Sequence, residues 1–120
     1  MRALLILHGV LGAIVVGLLT HHAVWSWRAR WPQSERYVRF GFVAIFLQLS
    51  IGFWVSTRFA PSAPLFRVKV TTAITTAIVT LISFVVHKFA TPGPLHRGLA
   101  TLAAAGAWGV ALLGLALLGR

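Results

Sequence analysis

The chain contains no cysteine, a single acidic residue (Glu35), one tyrosine, and one methionine, which is its first residue. Without thiols, disulfides, iron–sulfur clusters and thiolate catalysis are excluded for these 120 residues. With Glu35 alone, paired-carboxylate acid–base chemistry and a carboxylate proton relay are excluded too. Polar surface is equally scarce: 58% of residues are hydrophobic, 10% are charged, and the mean hydropathy is +0.88. Such a chain cannot cover a globular surface with polar groups, so it is expected to be an integral membrane protein.

What the sequence does contain is apolar length. Four stretches, about 3–26, 38–59, 69–90 and 96–118, each approach the roughly 20 residues that cross about 30 Å as a helix. Inside lipid the backbone must satisfy its own hydrogen bonds, and these stretches are too long and too uniformly apolar to be barrel strands. Trp27–Arg36, Ala60–Pro64 and Thr91–Pro94 read as the connections, each carrying proline, which removes a donor and restricts the residue before it. Short links make neighbouring helices antiparallel. The expected fold is therefore all-α: one four-helix transmembrane domain over 1–120, up-down-up-down. Arg2 followed by an apolar run resembles a signal peptide, but the run is too long and ends in His21-His22-Ala23-Val24-Trp25 rather than small residues, so it is read as the first span.

The charge is strongly of one sign, +10 from 11 Lys and Arg. These residues gather at span ends beside Trp25, Trp27, Trp31 and Tyr37, the pattern of anchoring to anionic lipid headgroups, and no nucleic-acid partner is expected. Taking X as the N-terminal side of the membrane and Y as the other, X receives Arg2, Arg58, Arg67, Lys69 and Arg120, and Y receives Arg28, Arg30, Arg36, Arg39, Lys88 and Arg97. A five-to-six division does not orient the protein.

Helical periodicity then selects the inward faces. In span one, His8, Gly12, Val15, Leu19 and His22 share a stripe, the two histidines about 40° apart around the axis and about 21 Å apart along it, while His21 points away. Thr72, Thr76, Thr80, Ser83 and His87 form a hydroxyl track in span three. Tyr37, Gly41, Gln48 and Gly52 align in span two, as do His96, Ala100, Ala103, Ala107, Ala111 and Gly114 in span four. Small and hydroxyl-bearing stripes of this kind are how helices pack in lipid. Ionisable groups inside spans are costly, and His21, His22, His87 and His96 converge near Y on three helices, with only His8 toward X.

Neutral imidazoles on facing helices, with no thiolate and no internal methionine, suit haem iron best. The expected axial pair is His22 and His87, with His96 as substitute ligand, Arg28, Arg39, Lys88 and Arg97 near the propionates, and small residues such as Gly12 making room for the ring. The layout resembles the membrane-anchoring b-type cytochromes of respiratory complexes, and the fourteen-residue interval from His8 to His22 is similar to the paired histidines with which one cytochrome b helix serves two haems. The resemblance implies b-type haem, electron transfer between a quinone pool and partner subunits, a non-catalytic role within an oxidoreductase complex, and residence in a bacterial inner membrane. A second haem near X would want a partner at position 73, which is Ala73. His8 is thus read as a structural hydrogen-bonding residue or, with Gln48, as a quinone or second site.

Other readings stay open at this point. A cofactor-free accessory or scaffolding subunit is one. Another is a copper or zinc site from His21, His22, His87 and His96. A third follows from a likeness to small four-helix membrane enzymes that oxidise protoporphyrinogen and have a histidine early in span one. That family's intramembrane lysine would fall to Lys88 here.

Overall fold

In the computed structural model, which describes residues 2–59 and 64–118, each of the four apolar stretches is one continuous helix. They are α1 (Arg2–Trp27), α2 (Trp31–Phe59), α3 (Pro64–Phe89) and α4 (Pro94–Leu118). All four are long and apolar enough to cross a membrane, and the 44 Å long axis matches a hydrocarbon core of about 30 Å with its interfacial regions.

The helices start earlier than the sequence suggested: α2 at 31 instead of 38, α3 at 64 instead of 69, α4 at 94 instead of 96. Proline explains all three differences. Pro32, Pro64 and Pro94 sit in first turns, where no intrahelical donor is needed and a fixed φ favours the helix, so each proline helps to begin the helix it belongs to. Residues 31–36 therefore belong to α2, which leaves Arg28–Arg30 as the first connection. Residues 60–63 of the second link, the Arg2 and Arg58 side chains, and Arg120 lie outside the described residues.

Around the bundle, α1 packs on α2 and α4, and α3 packs on α2 and α4. Every neighbouring pair is antiparallel, as the contacts show directly. His22 meets Ser34 while His8 meets Gly52 between α1 and α2; His87 meets His96 while Lys69 meets Gly114 between α3 and α4. Helices α1 and α3 are diagonal partners and touch only through side chains on the bundle axis.

The inward stripes are those that periodicity chose. Val15 and Leu19 of α1, Ala44 and Ile45 of α2, and Ala103 and Ala107 of α4 form an apolar core at mid-depth. Outward-facing Phe46, Phe53, Leu102, Leu112 and Leu115 are more than 45% exposed, as a lipid-facing surface requires. Thr72, Thr76 and Thr80 each donate to the carbonyl four residues back, which satisfies the hydroxyls within α3 and lets them face α4. Gly106 lets α4 approach that track so closely that a Cβ there would collide with the Thr76 side chain.

Candidate functional site: an imidazole cluster at the Y end

Above the apolar core the bundle axis becomes polar. His22, Ser26, Ser34, Ser83 and His96 are at most 2% exposed, and His87 is half-buried. The first connection brings them together. Ala29 takes a left-handed φ of 56°, and the Arg30 N–H donates to the Trp25 carbonyl while the Ala29 N–H donates to that of Ser26. This paired closure is the Schellman arrangement, here with alanine where glycine is usual. It folds the first turn of α2 back over α1, so that Trp31 and Ser34 reach the histidines.

His22 lies at the centre. Its Nδ1 is 2.8 Å from the Ser34 carbonyl oxygen and its Nε2 is 2.8 Å from the Ser83 hydroxyl. A carbonyl only accepts, so Nδ1–H donates to it and Nε2 accepts from Ser83. His87 repeats the pattern: Nδ1 donates to the Ser83 carbonyl at 2.8 Å, and Nε2 accepts from one of the two hydroxyls beside it, Ser26 at 3.2 Å or Ser34 at 3.1 Å, the other donating to its neighbouring serine. Ser26 and Ser34 also bond to each other. Helices α1, α2 and α3 are thus tied by one network whose members all have partners.

His96 is different. In the first turn of α4 it packs against the His87 ring with centroids 4.6 Å apart and meets the Trp31 edge at 5.5 Å. Both ring nitrogens are buried and neither has a hydrogen-bond partner. Nearby, Arg97 lies over the Trp27 and Trp31 rings at 5.6 and 5.9 Å and donates from Nε to the Ser26 carbonyl at 3.3 Å.

Of the residues singled out from sequence, His22, His87, His96 and Arg97 come together. Arg28 and Arg39 do not: both are exposed, over Trp25 and Phe40 respectively. Lys88 is also exposed and lies over Phe84 and Phe89. Gly12 sits toward X, facing the Gln48 amide, ten residues and about 15 Å along α1 from His22. His21 is exposed beside Tyr37, at 5.1 Å between ring centroids, which removes it from any shared metal site. Among the described residues no group of three or more His, Asp or Glu side chains is arranged to hold a metal ion, and the His22, His87 and His96 rings pack at tilts of 59° and 57°. Ser26, Ser34 and Trp31 were not singled out for the site: Ser26 lies one turn beyond His22 on α1, and Trp31 and Ser34 became legible only once the first turn of α2 included them.

Haem iron gripped by His22 and His87 would need the macrocycle between them. The two rings instead touch, with centroids 4.6 Å apart, and all four of their nitrogens have partners. This pair does not fit iron in the observed packing. His96 differs from both in that its imidazole nitrogens are uncommitted.

Comparisons with family models, with curated proteins and with solved structures found no match.

Proposed function

We propose that this chain is a haem-binding subunit of a membrane electron-transfer complex, relaying electrons between a quinone pool and partner subunits, with His96 as the first iron ligand. The observation that carries this reading is the pair of unpartnered nitrogens on a fully buried imidazole in a membrane span. Leaving such groups unpaired costs about 1–3 kcal/mol each, an expense that a coordinating iron would remove at one of the two nitrogens. Its surroundings support the same reading: two further imidazoles, of which His87 is in ring contact, and Arg97 at the rim as a counter-charge for a propionate. Bound haem would supply one-electron chemistry. The protein's own residues orient and insulate the site: Trp31 covers His87 and His96, and the network around His22 holds α1 to α3.

The test is a reduced-minus-oxidised visible spectrum of the purified chain expressed with ample haem. A b-type alpha band that disappears in His96→Ala and survives in His22→Ala is expected; a featureless wild-type trace removes the proposal.

Two other readings each draw on a specific observation. A cofactor-free accessory subunit accords with the closed hydrogen-bond network, which needs no ligand to satisfy His22 and His87. A porphyrin-oxidising enzyme requires an intramembrane lysine, and the one held inside the bundle is Lys69, near His8, instead of the exposed Lys88. The same spectra separate the first from haem binding, and oxidation of protoporphyrinogen by the purified chain tests the second.

A further inference from the structure

A second polar constellation lies at the opposite end of the bundle. All four helices contribute. His8 of α1 has its ring against Gly52 of α2, the nearest ring atom 3.0 Å from where a Cβ would stand. The Gln48 amide of α2 lies against Gly12 of α1, and the Lys69 ammonium of α3 is 3.4 Å from the Cβ position of Gly114 in α4. Glycine at these three places lets polar side chains turn into the bundle instead of extending to the bilayer surface. His8 lies within electrostatic reach of the Gln48 backbone and of Lys69, while its Nδ1 is buried and unpartnered.

Lys69 therefore brings a positive charge into the bundle mouth, and among the described residues no carboxylate or hydrogen-bond acceptor meets it. The only acidic side chain, Glu35, belongs to the first turn of α2 at Y. His8 lies six residues after the start of α1, Lys69 five after the start of α3 and Gly114 four before the end of α4, so the constellation sits about 6–9 Å in from the X ends of these helices. That depth adjoins the headgroup phosphates of the X leaflet. A phosphate group offers an anionic oxygen for the ammonium. A protonated His8 Nδ1 donates to a phosphate oxygen, and a neutral one accepts from the O–H that free phosphate carries and a phosphodiester headgroup lacks.

We propose that the X mouth of the bundle binds a phosphate group between Lys69 Nζ and His8 Nδ1. The group comes from a phospholipid headgroup or from free phosphate. This site is independent of the imidazole cluster at Y and of whether haem binds there.

The test uses the full chain purified in dodecyl maltoside, with thermal unfolding followed in the presence of phosphatidylglycerol, of diacylglycerol as a phosphate-free lipid, and of inorganic phosphate against sodium chloride of equal ionic strength. Wild type should gain a saturable rise in midpoint from phosphatidylglycerol and none from diacylglycerol. Lys69→Gln should lose most of that rise, Lys69→Arg should keep it, and Arg36→Gln at Y should keep it. A parallel rise with inorganic phosphate identifies free anion as a source; its absence identifies the lipid. Native mass spectra should show a retained phosphatidylglycerol on wild type and Lys69→Arg, a readout that stands if Lys69→Gln does not fold. Equal rises in wild type and Lys69→Gln, or no rise in wild type from either probe, overturn the proposal.

Discussion

His87 and His96 pack ring on ring at 4.6 Å, yet both nitrogens of His87 are hydrogen-bonded and neither nitrogen of His96 is. Two imidazoles in contact thus have opposite status. His87 belongs to the scaffold that ties α1, α2 and α3, whereas His96, delivered by α4, is the member with donor and acceptor capacity to spare.

That contrast predicts an inversion of the usual effect of mutation. Replacing His96 by Leu, of similar bulk, removes two unsatisfied buried polar atoms and should stabilise the ligand-free protein by about 1–3 kcal/mol. Thermal unfolding in detergent measures it. Marked destabilisation of the ligand-free protein would show that His96 has partners this arrangement lacks.

Loss of His22 should act in the other direction. His22→Ala deletes the links from α1 to the Ser34 carbonyl and the Ser83 hydroxyl and opens a cavity on the axis. With about 1–2 kcal/mol for a hydrogen bond between membrane helices and a cavity cost of similar size, the loss should be about 2–4 kcal/mol. Denaturation in mixed micelles reads it, and a change below about 0.5 kcal/mol would mean that the network contributes little.

Gly106 and Thr76 should be coupled. A Cβ at 106 collides with the Thr76 side chain, so Gly106→Ala should push α4 from α3 and cost about 1–3 kcal/mol. Adding Thr76→Ala should recover much of that loss. Strict additivity in the double-mutant cycle would contradict the close approach.

Ala29 carries strain that glycine does not. Its left-handed φ of 56° costs an L-residue about 1–2 kcal/mol, partly offset in the glycine variant by greater unfolded-state freedom. Ala29→Gly should therefore raise stability by a few tenths to about 1 kcal/mol, whereas Ala29→Val should lower it. A reversed order in thermal midpoints would place the closing turn of α1 elsewhere.

Much of this architecture was legible in the amino-acid order. Run lengths near 20 residues determined that the chain forms four membrane-crossing helices, because lipid offers the backbone no other partner. The 3.6-residue period determined which side of each helix turns inward: His22 buried and His21 exposed, Thr76, Thr80 and Ser83 buried, Ala100, Ala103 and Ala107 buried. Only the tertiary structure decided what those inward groups meet. Periodicity sets the azimuth of a residue on its own helix but says nothing of the helix's depth or rotation against its neighbours, and hydrogen bonds depend on tenths of an ångström. Hence His22 is found bonded to Ser34 and Ser83 instead of facing His87 across a gap, His96 carries the unpaired nitrogens, and Lys69 turns inward near His8. The earlier starts of α2, α3 and α4 have the same origin: proline can end one helix or begin the next, and where the chain resumes its helix is settled by the packing of the turn that follows.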